Sequence, residues 1–301
     1  MAAQGAANFP TTLEMMSPPR RDAFRFMHRL QVRWAEVDMQ QVVFNGHYLM
    51  YADSAVGAFW KALGVDYSRE LPALGGDFYV KRAQLTWHAP ARLDDWVDVG
   101  VAVEGFGRSS LRLRTAMWVQ DRLLVDGELL QVYATLQPPL RAQALPGALR
   151  ELLQAHAAGE PMLQLRVDGW DALGADAAAI RAEVFVEEQG VPAELEWDAR
   201  DAGCVHAVAY NRLGRALACA RLLPDGHIGR VAVRRGLRGS GAGVAVMRAL
   251  LDEARRAGHA VVELSAQRAV LGFYRKLGFV AFGEPYLEAG IEHQDMRLVF
   301  G

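Results

Sequence analysis

From Phe24 the chain alternates. Phe24, Phe26, His28, Leu30, Val32 and Trp34 stand against Arg25, Arg29, Gln31 and Arg33. A period of two predicts a strand with one buried face. The period then lengthens: Tyr48, Tyr51, Ala52, Ala55, Val56, Phe59 and Leu63 recur at three- and four-residue steps, which predicts one helix with an apolar stripe. Gly64 follows where a helix stop is expected. Alternation returns over residues 77–88, 96–106, 109–120 and 123–136. Val97, Val99, Val101 and Val103 share one face, as do Leu111, Leu113, Thr115, Met117 and Val119. Breaks at 105–107 and 121–122 predict hairpin turns. One helix followed by long antiparallel strands is an α+β layout in which a sheet wraps the helix.

The second half changes character. Strands are expected over 162–167, 205–210, 216–223, 228–233 and 260–265, and helices over 177–188, 241–257 and 269–277, with further strands near the end. This predicts a mixed sheet with helices on its faces. Between the halves, Pro138, Pro139, Pro146 and Pro161 punctuate Ala-, Gly- and Gln-containing sequence, with a short helix near 149–156. The reading divides the chain into a flexible tail (1–21), a first domain (22–140), a linker (141–160) and a second domain (161–301).

A length of 301 residues suits two domains, and a formal net charge of −2 gives no electrostatic footprint for nucleic acid or an anionic membrane. An anionic ligand therefore needs local groups to hold it. No apolar run approaches the roughly 20 residues needed to cross a bilayer. The first ten residues lack the charged start and apolar run of a signal peptide. Cys204 and Cys219 form neither a CxxC pair nor a metal knuckle, and read as buried thiols of a cytoplasmic protein. His47, His88 and His206 lack ligand spacing to a third partner, so no metal is expected.

The most informative stretch is the valine-rich run ending at Val233, followed by Arg238, Gly239, Ser240, Gly241, Ala242 and Gly243, and then a helix with Val244, Met247, Leu250 and Leu251 on one face. Glycines there let several N–H groups converge at a helix N-terminus, where an anion such as a pyrophosphate is favoured. No Gly-Lys-Ser/Thr follows, so this is not a P-loop, and the spacing does not fit GxGxxG. The loop resembles the RxxGxG/A acyl-CoA loop of the GNAT superfamily of N-acetyltransferases. Leu264 to Gln267 and Gly272 to Phe279 resemble that superfamily's next strand and helix. Phe185 to Gly190, the Ser265-Ala266-Gln267 element and Gly283 to Gly290 resemble its bacterial ElaA-like branch. The resemblance implies that backbone groups of Val231 and Val233 face the pantetheine of acetyl-CoA. It also implies that Arg238 to Gly243 hold the pyrophosphate and that Tyr274 protonates the leaving thiolate. Glu188, Glu194, Glu196 and His293 are the candidates for taking the amine proton.

In the first half, Asp38 lies between the first strand and the helix, followed by Val42, Val43, Phe44 and a helix start near Asn45. An Asp at such a junction is ordinarily a turn residue. A thioester carbonyl, however, needs a nucleophile or base on one side and oxyanion donors on the other, and a helix N-terminus supplies donors. The segment resembles the hotdog-fold acyl-CoA thioesterases of the 4-hydroxybenzoyl-CoA type, with Tyr48 matching their helix tyrosine. By that likeness Asp38 attacks the thioester or activates water, and the Asn45 N–H polarises the carbonyl. Arg108 and Ser109 would lie near the nucleotide end of coenzyme A, and the domain would pair into a homodimer or higher homo-oligomer. One departure stands out: the family commonly has Gly three residues after the Asp, and this chain has Gln41. If that position needs a positive φ or close substrate approach, Gln41 costs stability or narrows the site.

The expected molecule is thus α+β throughout: a hotdog domain, an antiparallel sheet around one helix, followed by a GNAT domain. Its expected activity is bifunctional, acyl-CoA hydrolysis plus acetyl transfer to a small-molecule or peptide amine. The alternative is a transferase or CoA-binding regulatory protein whose first domain only oligomerises.

Overall fold

The computed structural model describes residues 19–301, so the segment expected as a tail lies, up to residue 18, outside the described residues. The chain forms two compact units. The first comprises residues up to Val56, Phe78–Ala134 and Arg141–Ala144, and the second Gly57–Asp77, Thr135–Leu140 and Leu145–Gly301.

The first unit is built on β1 (Phe26–Gln31), the start of helix α1 (Asn45–Ala62), and, after the short helix α2 (Tyr67–Ala73), strands β2 (Asp77–Trp87), β3 (Trp96–Phe106), β4 (Ser110–Val119) and β5 (Arg122–Ala134). The strands form one sheet in the order β1-β3-β4-β5-β2. His28 pairs with Val99, Val99 with Met117 and Met117 with Val125, all antiparallel. The alternation read from the sequence is what the sheet buries: Val97, Val99, Val101, Leu111, Leu113 and Met117 are inaccessible, as are Ala52 and Ala55 of α1. Each such large side chain contributes about 1.5–3 kcal/mol by leaving water. The other face is partly covered by Phe24 against Trp118, ring centroids 5.4 Å apart, and by Asp98 held between Arg21 and Arg29.

The first strand is shorter than its alternation suggests. It stops at Gln31, and Trp34, expected on the buried face, is 80% exposed. A single turn over Trp34–Glu36 intervenes because the Glu36 carboxylate accepts the Arg33 backbone N–H at 2.9 Å and turns the chain. A local side-chain bond here outcompetes continuation of the ladder.

The second unit adds α3 (Gly147–Ala158), β6 (Leu163–Asp168), α4 (Trp170–Arg181), α5 (Ala193–Glu196), β7 (Val205–Asn211), β8 (Ala216–Leu222), β9 (Ile228–Val233), α6 (Ala242–Arg256), β10 (Val261–Gln267), α7 (Leu271–Lys276), β11 (Val280–Ala281), β12 (Tyr286–Glu288) and β13 (Ile291–Val299). Two half-sheets, β6-β7-β8-β9 and β10-β13-β11 with β12 on β13, are joined by a parallel bridge between His227 and Glu263. On one face Val246, Met247, Leu250 and Ala254 of α6 pack with Leu217, Ala218, Leu264 and Ala266. On the other, Leu173, Ala177 and Ile180 of α4 pack with Val208, Cys219 and Ala232. The helix expected over 177–188 starts earlier, at Trp170, and ends in a π-helical turn over Ala182–Glu188.

Beneath that turn lies a charge network with no sequence period. Arg181 bonds Glu196 and Asp201, Arg221 bonds Asp201 and Asp198, and Arg230 reaches Glu196 at 3.1 Å. Three guanidinium groups meet three carboxylates, so the desolvated charge is balanced. The end of α1 and α2 are tied into the same unit by Asn211. Fully buried, it donates to the Gly64 carbonyl at 2.9 Å and the Glu70 carboxylate at 2.8 Å.

Candidate active sites

In the first unit, Val37 pairs with Val43 and the chain between them forms a tight hairpin. The Asp38 N–H donates to the Val42 carbonyl, and the Gln41 N–H to the Asp38 carbonyl, both at 2.9 Å. This is the pattern of the three-residue hairpin loop, whose last residue is left-handed. That residue is Gln41, at φ +59°. Asp38 also makes the ordinary turn contact, its Oδ1 accepting the Gln40 N–H at 2.8 Å, which fixes the carboxylate from below.

The hairpin delivers Asp38 to an open cleft of about 510 Å³, whose lining includes Asp38, Phe44, Asn45, Tyr48, Trp87 and His88. Asn45 is the first residue of α1, and N–H groups of a first helical turn have no acceptor within the helix. The cleft is therefore lined by both a carboxylate and a helix N-terminus. Two buried tyrosines of α1 brace it. Tyr48 accepts the Ala91 N–H through its hydroxyl at 2.8 Å, and Tyr51 donates to Glu36 at 2.7 Å. Burial alone would raise the Glu36 carboxyl. The Arg33 N–H, the Tyr51 hydroxyl and the Arg33 guanidinium outweigh it and hold the group below the usual carboxylate range. His88 is paired with Asp126 at 2.5 Å.

In the second unit, β9 and β10 diverge beyond the His227–Glu263 bridge, which leaves one edge of β9 near Val231 and Val233 without a neighbouring strand. After β9 the chain passes through Arg238 to Gly243 into α6. Gly239 and Gly241 lie at φ +88° and +93°, where only glycine is unstrained. A side chain at Gly243 would meet Val233 Cγ2 at 3.0 Å, so α6 starts hard against β9. The Arg238 guanidinium is committed to Glu188, with two bonds of 2.7 Å. Tyr274 of α7 is buried with Phe273 and Phe279, and burial pushes its phenol well above the usual range. Among the described residues, no three His, Cys, Asp or Glu side chains come together in a way that could hold a metal ion.

Residues 172–300 match the model of the acetyltransferase (GNAT) domain, and 40–125 that of the thioesterase superfamily. The chain is 36% identical over 124 residues to the uncharacterized N-acetyltransferase YjcF of Bacillus subtilis, covering 40% of this chain and 89% of that protein. The chain belongs to the GNAT acetyltransferases, with a hotdog thioesterase domain ahead of the transferase fold. Among solved structures, a putative N-acetyltransferase from Lactobacillus plantarum is 30% identical, covering 46% of this chain and 97% of that one, with a TM-score of 0.43. A thioesterase from Thermus thermophilus, complexed with coenzyme A and Zn, is 29% identical, covering 46% and 99%, with a TM-score of 0.40.

Within this GNAT-and-hotdog frame the expected residues separate clearly. Asp38 and Asn45 share the hotdog cleft, whereas Arg108 and Ser109 are not among the residues that line it. They form the β3–β4 turn, where the Ser109 carbonyl accepts the Tyr133 N–H. In the GNAT domain Val231, Val233 and the loop from Arg238 through Gly239, Ser240, Gly241 and Ala242 to Gly243 are continuous. The Val233 carbonyl, however, already accepts Arg238 Nε at 3.3 Å. Of the candidates for the transferase base, Glu196 is buried in the charge network and Glu188 is paired with Arg238. His293 is held through Nδ1 by the Ile291 carbonyl. Glu36, Tyr51 and the arginine network were not singled out by sequence. The Arg33–Glu36 spacing of three just before Asp38 was the available signal.

Proposed function

We propose that the chain is a bifunctional enzyme that hydrolyses acyl-CoA thioesters in its hotdog domain and transfers acetyl from acetyl-CoA to an amine in its GNAT domain. The observation that carries the first activity is the placement of Asp38 and the start of α1 on one cleft. There the Asp38 carboxylate attacks the thioester carbonyl or takes a proton from water, and the Asn45 N–H stabilises the oxyanion that forms. In the GNAT domain the loop from Arg238 to Gly243 leads into the positive end of α6, where the pyrophosphate is held. The open edge of β9 at Val231 and Val233 suits the amide groups of pantetheine. The amine nitrogen attacks the acetyl carbonyl, the C–S bond breaks, the departing thiolate takes the Tyr274 proton, and the proton shed by the amine restores the phenol. Burial keeps the Tyr274 phenol protonated until the thiolate forms, at the cost of weakening it as an acid, so the role rests on its place in the matched helix and not on its pKa.

A homodimer or higher oligomer through the hotdog domain is part of the reading. It is supported by Trp34, Met39 and Phe44, exposed by 80%, 101% and 53% around the Asp38 hairpin. Two free buried thiols, Cys204 and Cys219, fit a cytoplasmic protein, and no helix among the described residues is long and apolar enough to cross a membrane.

The test is thiol release from a panel of acyl-CoAs with and without amines. Asp38→Asn should abolish amine-independent release, by at least about a hundredfold, and leave amine-dependent release intact. Equal hydrolysis by that variant would sink the assignment of Asp38. Release that always requires an amine would leave the hotdog domain as a scaffold.

A further inference from the structure

The last turn of α1 and the Gly-rich loop both belong to the second unit, and they lie against each other. Helix α1 stops at Ala62, with the Gly64 N–H donating back to the Lys61 carbonyl at 2.9 Å and Gly64 at φ +75°. The Asn211 side chain then pins the Gly64 carbonyl from the sheet. Those bonds fix where the Lys61 side chain begins. It runs over the loop: a methyl group placed on Gly239 would sit 3.9 Å from both Cε and Nζ of Lys61.

Of the charges around this point, the exposed Arg235 in the turn before the loop forms no ion pair among the described residues, and several others are paired. Arg238 is bound to Glu188, and Arg234 to Glu183. Asp66, whose carboxylate packs on Gly236, accepts the Ser68 hydroxyl at 3.0 Å and stands 3.8 Å from Arg69. Among the described residues, Lys61 forms no ion pair. It is a half-buried lysine beside Gly239, in the loop that the proposed function assigns to the pyrophosphate.

We infer that Lys61 is a ligand of the acetyl-CoA pyrophosphate, completing from α1 the site formed by the loop from Arg238 to Gly243. The inference rests on the acetyl-CoA reading above and adds a residue to it that lies outside the GNAT domain's own sequence. The competing account is that Lys61 merely complements the negative end of the α1 dipole. The two differ in what they touch. A dipole partner affects thermal stability slightly and leaves ligand affinity alone, whereas a phosphate ligand affects affinity in a salt-dependent way. A charge-assisted bond to phosphate predicts that its loss weakens binding by about tenfold to a hundredfold. Because Gly239 belongs to the loop assigned to the pyrophosphate, the contact assigned to Lys61 is to the pyrophosphate and not to the ribose phosphate.

The experiment is calorimetric titration of the full-length protein, Lys61→Ala and Lys61→Arg with acetyl-CoA and with 3′-dephospho-CoA, each at low and high salt. Lys61→Ala should bind acetyl-CoA at least about tenfold more weakly, and Lys61→Arg should recover most of the loss. The same factor should appear with 3′-dephospho-CoA and shrink as salt rises. Equal affinity of Lys61→Ala and the unaltered protein would overturn the role of Lys61 while leaving the acetyl-CoA reading standing. No binding by the unaltered protein would overturn both. A loss confined to ligands that keep the 3′-phosphate would overturn the pyrophosphate assignment.

Discussion

The hairpin at Asp38 and the loop at Gly239 face the same backbone problem and solve it with different residues. Each must turn the chain through a left-handed residue to present groups to a thioester or a phosphate. The GNAT loop does so with Gly239 and Gly241, which occupy φ near +90° without strain. The hotdog hairpin does so with Gln41 at φ +59°. A residue with a Cβ costs of order 1–3 kcal/mol there unless its surroundings compensate. The GNAT loop is thus relaxed and the hotdog turn is held. What holds it is legible in the structure: Asp38 caps its own turn, Val37 pairs with Val43, and the adjoining turn is locked by Glu36 between Arg33 and Tyr51.

Between these two turns, the larger effect should come from making the relaxed loop resemble the strained one. Nothing lies within 4 Å of a side chain added at Gly241, so Gly241→Ala meets no neighbour and suffers only from its φ of +93°. That backbone cost, about 1–3 kcal/mol, falls on the conformation that binds the pyrophosphate. Acetyl-CoA should bind about tenfold more weakly or worse, with amine-independent thiol release unchanged. Titration calorimetry beside the thiol assay checks both. Unaltered affinity would mean that the loop binds the cofactor in another conformation.

The same contrast marks the reach of sequence reasoning. Where one face of an element is buried, the period is printed in the chain, and Val97, Val99 and Val101, or Leu111, Leu113 and Met117, fall where alternation puts them. The glycines of the GNAT loop were equally legible, because left-handed backbone leaves a compositional mark. Gln41 was legible only as a departure from a family pattern, and its positive φ gives that departure its physical content. What had no local mark was lost. Arg181 finds Glu196 and Asp201 only after α4 and the following turn are in place, and Arg221 reaches Asp201 and Asp198 from β8. Lys61 reads as an ordinary last-turn lysine of α1, and nothing in its neighbours announces Gly239. The end of β1 departs from its sequence period for a related reason. Apolar alternation runs on through Trp34, but the Arg33–Glu36 bond turns the chain first.

A middling effect is expected from loosening what braces the hotdog turn. Glu36 is 4% exposed and accepts three kinds of donor, so Glu36→Gln should lower stability by about 1–3 kcal/mol. The pH dependence has a definite sign. The folded carboxyl is held below its ordinary value, so its contribution is complete above the unfolded Glu value of about 4.3 and is lost as pH falls through the folded value. Melting temperatures of the two proteins should differ steadily near neutrality and converge below about pH 4. A gap that persists unchanged into acid would show that the Glu36 charge is not what braces the turn.

The smallest effect, and the sharpest on the comparison, belongs to Gln41→Gly. Glycine relieves the left-handed strain but enlarges the freedom of the unfolded chain, so the two terms partly cancel. A net gain of about 0.5–1 kcal/mol is expected, read as a shift in denaturant midpoint without a change in slope. The activity readout separates two accounts of the same strain. If the surrounding bonds already hold Asp38 in place, Gln41→Gly stabilises the protein and leaves hydrolysis within about twofold. If hydrolysis is absent from the unaltered chain and emerges with glycine, Gln41 has closed the site, and the hotdog domain serves as a platform for the transferase. The first outcome is the expected one, because the Asp38–Val42 and Gln41–Asp38 backbone bonds at 2.9 Å are already made with glutamine in place.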